Sequence, residues 1–152
     1  MNKLNLKRFA SGAAILFTFL LVVSATSAAQ RKAIKLPGME AFPFSDGVMV
    51  GNTLYVAGQE GTVEGKLKPG GIGPETEAAL ANIGKVLKEA GLEWKDVVSV
   101  TVYLADIREF QDMNKVYRSI VPDPKPARAT VQVAALVNNA RIEVSAIAVK
   151  EK

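Results

Sequence analysis

The residues able to do chemistry gather in the last quarter of the chain. One run reads Pro126-Ala127-Arg128-Ala129-Thr130-Val131-Gln132-Val133, and a second reads Arg141-Ile142-Glu143-Val144-Ser145-Ala146-Ile147-Ala148-Val149. β-branched residues are frequent in both, and polar residues fall at every second position, the pattern of strands. Side chains alternate across a strand, so Arg128, Thr130 and Gln132 share one face of the first run, and Arg141, Glu143 and Ser145 share one face of the second. A guanidinium grips a carboxylate through two parallel hydrogen bonds. A carboxylate near it accepts and returns a proton, and so activates water. Together they suit hydrolysis at a carbon next to a bound carboxylate, as in an α-imino acid. There the C=N carbon is already electrophilic, so water adds, ammonia leaves and a 2-oxo acid remains without metal or cofactor. Each residue also has a plain structural reading: a strand Arg as an ion-pair partner, a strand Glu as surface, and Asn114 as the polar side of a helix.

The residue types that are missing narrow the chemistry further. The chain of 152 residues has no His and no Cys. That excludes Ser-His-Asp triads, thiol nucleophiles, disulfides and nearly all zinc sites. What remains is carboxylate, arginine, amide, hydroxyl and backbone.

Residues 1–29 are read apart from the fold. Lys3, Lys7 and Arg8 precede an apolar run from Ala13 to Val23, and small residues follow up to Ala29. This is the three-part pattern of a secretory signal, with cleavage expected after Ala29. The apolar run is short for a membrane span, which needs about 20 residues, so a membrane contact is expected only if the segment stays uncleaved. The product is then exported, periplasmic or secreted. Three of the 19 basic residues and none of the 15 acidic ones lie in this segment, so residues 30–152 carry 16 basic against 15 acidic. Such a near-neutral domain has no electrostatic footprint for nucleic acid. Its 123 residues make one domain.

Within that domain, Ala33-Ile34-Lys35-Leu36 reads as a possible edge strand. Gly51-Asn52 reads as a hairpin turn between two alternating apolar runs, from Phe42 to Gln59. The Gly/Pro-rich stretch up to Pro74 reads as a flexible loop; no Gly-Lys-Ser/Thr follows it, so it is not a phosphate cradle. Pro74 is placed at the start of a helix that buries Leu80, Ile83, Val86, Leu87 and Ala90 and ends at Gly91, with Glu75, Glu77, Lys85, Lys88 and Glu89 on its solvated face. Val97–Leu104 is a nearly continuous apolar strand, expected at the centre of a sheet. Asp106 and Glu109 have the spacing of a capping box for a second helix, which runs on through Ile120 with Asn114 beside its apolar face. The fold class is α+β: one mixed sheet with two helices on one face.

The two chemical runs pose a geometric difficulty. If Asn138-Asn139 were a two-residue hairpin loop, Glu143 would pair with Ala134, and Arg128 would lie roughly 20 Å away at about 3.3 Å per residue. Either the last strand enters the sheet elsewhere, or the site is completed across a subunit boundary.

The set of motifs resembles the Rid (YjgF) family of reactive-intermediate imine deaminases. The resemblance runs from about Phe42 to Val149 and rests on Pro43-Phe44-Ser45-Asp46-Gly47, Gly51-Asn52-Thr53-Leu54-Tyr55-Val56-Ala57-Gly58-Gln59, Asn114-Lys115-Val116-Tyr117, Pro126-Ala127-Arg128 and the strand from Ile142 to Val149. It implies a chorismate-mutase-like fold and a homotrimer with clefts between subunits. It implies that Arg128 holds the substrate carboxylate and Glu143 positions the attacking water, with Phe44, Gly58, Asn114 and Thr130 lining the cleft. The implied activity is hydrolysis of 2-iminopropanoate-like imines and enamines to 2-oxo acids and ammonia. The alternative is a non-catalytic protein that captures small carboxylates in the same cleft. RNA cleavage, a label often attached to the family, is disfavoured by the near-neutral charge and the absence of His. The chain departs from the family where Phe44 replaces a common Tyr, Ala57 a Ser, Thr130 a frequent Cys and Ser145 a second Glu.

Overall fold

The computed structural model describes residues 30–151. The secretory-signal reading falls on residues 1–29 and lies outside them. The chain runs β1 (Arg31–Ile34), β2 (Gly47–Val50), β3 (Thr53–Glu60), a short pair β4 (Thr62–Val63) and β5 (Lys66–Leu67), α1 (Ile72–Glu89), β6 (Val97–Leu104), α2 (Phe110–Ile120), β7 (Ala127–Gln132) and β8 (Ile142–Val149). Six strands form one sheet in the order β1-β2-β3-β8-β6-β7. Among the described strands only the β6–β7 pair is parallel; β8 lies antiparallel to both β3 and β6. The α+β architecture with two helices against one sheet face is as the sequence predicts.

Alternation builds that face. Leu54 and Val56 of β3, Val100, Val102 and Leu104 of β6, and Ile142, Val144, Ala146 and Ala148 of β8 all point one way and are buried. Leu80, Ile83, Val86 and Leu87 of α1 and Met113 and Tyr117 of α2 close over them into one core. Among the described residues, no helix lies on the opposite face of the sheet. Tyr55 and Val98 stay about half exposed there, at 51% and 49%.

Several local expectations change. There is no hairpin at Asn138-Asn139: both residues sit in the left-handed region at φ 57°, and Val137–Asn139 forms a single 3-10 turn. The chain is redirected there, and β8 enters between β3 and β6. Helix α1 begins at Ile72, so Pro74 occupies its first turn rather than its first position, where its missing N–H is still no loss. Its end is as read: Gly91 takes φ 72°, and the Leu92 amide donates to the Leu87 carbonyl. Glu75 is not solvated. It is buried, and its carboxylate accepts the Arg141 amide at 2.8 Å. Asp106 does cap, accepting from the Arg108 amide at 2.9 Å, but it caps a 3-10 turn ahead of α2. Glu109 does not close a box and instead accepts from the Arg141 guanidinium at 2.5 Å. The Gly-rich run is tied down as well: an added Cβ at Gly61 would meet the Glu75 backbone carbonyl oxygen at 2.4 Å.

Candidate active site

The site residues fall into two groups on opposite faces of the sheet. Arg128 registers with Val100 and Thr130 with Val102, both buried beneath the helices, so Arg128 and Thr130 face α2. There Arg128 Nη2 donates to Asn114 Oδ1 at 2.7 Å. The guanidinium also lies over the Tyr117 ring at 4.4 Å and near the Phe110 ring at 5.7 Å. Phe110, Asn114 and Tyr117 follow the i, i+4, i+7 spacing of one helix side, so α2 presents all three to the guanidinium together. The stack orients a delocalised cation while leaving its outer edge free to fork onto an anion. Burial pushes the Tyr117 phenol up, against the opposing pull of Arg128. Two residues further along β7, the buried Thr130 Oγ1 has no hydrogen-bond partner among the described residues, and neither has Tyr117 Oη. Buried hydroxyls seldom stay unpaired.

Glu143 stands on the other face. It pairs with Tyr103 on β6 and with Glu60 on β3. A bulge between Val56 and Gln59 makes this possible. It inserts an extra residue and shifts the alternation, so Glu60 joins Glu143 on the helix-free face. Gly58 sits in the bulge. A Cβ there would lie 1.8 Å from Glu143 Oε1, so only glycine lets the carboxylate pass over the backbone. Burial first, and then the charge of Glu60, hold the Glu143 pKa above the ordinary carboxylate value. Glu60 is itself fixed by Asn138, whose Nδ2 donates to Glu60 Oε2 at 3.0 Å.

Along β6, Val100 and Tyr103 mark the levels of Arg128 and Glu143. Three residues at about 3.3 Å and two strand spacings at about 4.8 Å separate them by roughly 14 Å, with the sheet between. Within one chain they do not meet on one small ligand. Of the sequence-predicted residues, the structure brings Arg128, Asn114 and Thr130 together, and separately Gly58 and Glu143. Phe44, 49% exposed, stacks on Phe42 at 5.5 Å between ring centroids. It precedes the point where the Ala57 amide donates to the Asp46 carbonyl at 2.9 Å, which sets its segment beside the bulge.

Arg141, Ser145 and Gln132 separate from this chemistry. Arg141 lies ahead of β8 and reaches Glu109 and Glu75 instead of sharing the Glu143 face. Gln132 accepts from the Ile107 amide at 3.0 Å, a helix-start contact. Ser145 lines a shallow recess of the helix-free face with Tyr55, Ser99, Thr101 and Ile147. Sequence reasoning missed Tyr117 and Phe110 as site residues, although their spacing with Asn114 carries the signal. It missed Glu60, whose face is set by the bulge.

Comparison with known proteins gives a consistent picture. The family model described as endoribonuclease L-PSP matches residues 37–150. A 2-iminobutanoate/2-iminopropanoate deaminase from Bos taurus is 46% identical over 110 residues, which are 71% of this chain and 80% of that protein. The crystal structure of RidA from the Antarctic bacterium Psychrobacter sp. PAMC 21119 superposes with a TM-score of 0.69 at 34% identity, covering 82% of this chain and 99% of that one. E. coli TdcF, solved with bound serine, superposes with a TM-score of 0.69 at 27% identity over 82% of this chain and 99% of its own.

Proposed function

The chain belongs to the endoribonuclease L-PSP family, the family of the Rid (YjgF) proteins, and from that premise we propose that it hydrolyses 2-imino acids and their enamine tautomers to 2-oxo acids and ammonia. The observation that carries this reading is Arg128, whose guanidinium is stacked on Tyr117 and bonded to Asn114 in an open cleft. That is a carboxylate anchor held in advance of its ligand. The serine bound in TdcF, an α-amino acid on a related fold, supports a ligand of that size and charge.

In the reaction, Arg128 holds the α-carboxylate and so fixes the adjacent C=N carbon. Glu143, as carboxylate, takes a proton from water while the water oxygen adds to that carbon. The proton passes to nitrogen. The carbinolamine then collapses: its hydroxyl gives a proton to Glu143, which passes it to the amino nitrogen, C=O forms as the C–N bond breaks, and ammonia leaves with the electron pair. The raised proton affinity of Glu143 suits a group that must both take and give a proton. Phe44, at the position of a common Tyr, supplies bulk and no hydroxyl.

The opposite facing of Arg128 and Glu143 favours a site in which one subunit supplies Arg128 and a neighbour supplies Glu143, in a homotrimer that covers the helix-free face. The half-exposed Tyr55 and Val98 there are consistent with a covered surface. The reading also takes the protein as exported, acting on imines formed outside the cytoplasm. The test is release of 2-oxo acid from freshly generated 2-iminopropanoate. Acceleration is expected, reduced at least a hundredfold in Arg128→Ala and in Glu143→Gln, on the scale of a lost positioning or acid–base group. A folded protein that binds small carboxylates without accelerating hydrolysis would convert the reading to ligand capture.

A further inference from the structure

Arg128 accounts for one carboxylate, and the cleft around it has charge for another. The cleft measures about 460 Å³ and is lined by Asn114, Tyr117, Arg118, Lys125, Pro126 and Arg128. Three of these are cations and none is acidic. Their roles differ. Arg128 is engaged with Asn114 and Tyr117. Lys125 is turned back on the end of α2: its Nζ donates to the Val121 carbonyl, donates to the Arg118 carbonyl at 3.4 Å, and lies 3.7 Å from Asp123 Oδ1. Its charge adds positive potential, but its donors are spoken for. Arg118 forms no ion pair among the described residues. It follows Asn114 by four residues, so it stands one turn along the same side of α2, about 6 Å further at about 1.5 Å per residue.

That offset matches a particular ligand. The two carboxyl carbons of a four- or five-carbon dicarboxylic acid lie about 4–5 Å apart, from C–C bonds of about 1.5 Å. We propose that Arg118 is a specificity residue that holds the distal carboxylate of 2-imino dicarboxylic acids while Arg128 holds the proximal one. The chemistry rests on the deaminase reading above. One water adds, one ammonia leaves, C=N becomes C=O, and neither carboxylate changes. A monocarboxylic imine leaves Arg118 to water. A dicarboxylic imine gains a charge-assisted fork, so the cleft favours imines of the aspartate and glutamate type.

The test separates recognition from turnover. Succinate and propanoate differ by one carboxylate and cannot react. Calorimetric titration of the full chain should show succinate bound about tenfold more tightly, the scale of one charge-assisted contact. That preference should vanish in Arg118→Gln and survive in part in Arg118→Lys, with oligomer size checked in each. Equal affinities in the native protein overturn the proposal, as does a preference that persists in Arg118→Gln. Rates on 2-iminoglutarate and 2-iminopropanoate give the second arm: the dicarboxylic rate should fall at least fivefold more than the monocarboxylic one in Arg118→Gln, in line with loss of that single contact. Rates falling together overturn the assignment. If neither imine is hydrolysed while the Arg118-dependent succinate preference holds, the deaminase reading fails and dicarboxylate recognition stands.

Discussion

At Glu143 two effects act in the same direction. Burial penalises the anion, and the Glu60 carboxylate opposite adds like-charge repulsion, so the group keeps its proton to a higher pH than a free glutamate. Activation of water needs the anion. Activity should therefore fall as pH drops through that raised value, giving an acid limb above the usual carboxylate range. Glu60→Gln removes the smaller of the two causes and should move the limb of kcat/KM to lower pH; a limb that stays in place would sink the coupling. Gly58 sets the position of the same carboxylate. Gly58→Ala puts a methyl where Glu143 Oε1 lies, so the side chain must swing away. The expected outcome is a loss of kcat of about a hundredfold, the scale of misplacing a reacting group by an ångström, with the unfolding midpoint changing far less. Arg128, Gly58 and Glu143 were legible by type and motif. Glu60 was not, because a one-residue bulge reverses which face it occupies, and alternation counted along β3 places it among the core residues.

The elements were legible where one physical rule decides them. The α1 stripe, the Gly91 stop and the apolar β6 follow from periodicity and glycine's access to positive φ. Tertiary partners overrode the rest. Glu75 has the sequence setting of a solvated helix residue, yet it takes up the Arg141 amide because β8 starts just beneath the first turn of α1. Glu109 has capping-box spacing and is drawn to the same arginine. These two carboxylates, one in α1 and one in the 3-10 turn ahead of α2, thus fasten the start of β8. Glu75→Ala should leave that amide unpaired and cost about 2 kcal/mol, read from urea unfolding, as expected for a part-buried donor losing its acceptor. Exposed pairs such as Lys95–Glu93 at 3.1 Å should leave the urea midpoint nearly unchanged when cut.

If neighbouring subunits share the site as proposed, one supplies Arg128 and the next supplies Glu143. Arg128→Ala and Glu143→Gln should each be inactive alone. Mixed, dissociated and reassembled, they should recover about a quarter of native activity, because one interface in four then pairs an intact Arg128 with an intact Glu143. A site built within one chain would recover nothing. β6, expected at the centre, lies second from the edge beside β7; Thr101→Arg on its helix-free face should yield smaller species by light scattering and lose activity with them.

The place of β8 also bears on how the molecule is made. Residues 142–149 follow every other described strand in the sequence, yet they sit inside the six-stranded order, fourth from the β1 end and third from the β7 end. Until they are in place, β3 and β6 each expose an unpaired edge, the two halves of the sheet have no shared neighbour, and α1 covers a gap. The pairing that joins them closes the longest loops in the protein, Thr53 to Val149 among them. Such non-local closure slows folding and leaves open edges as templates for aggregation while it is pending. A ribosome delivers the keystone strand after every strand it joins, so the sheet can close only once residues 142–149 have emerged, and removing that strand leaves two separate part-sheets rather than a shorter one.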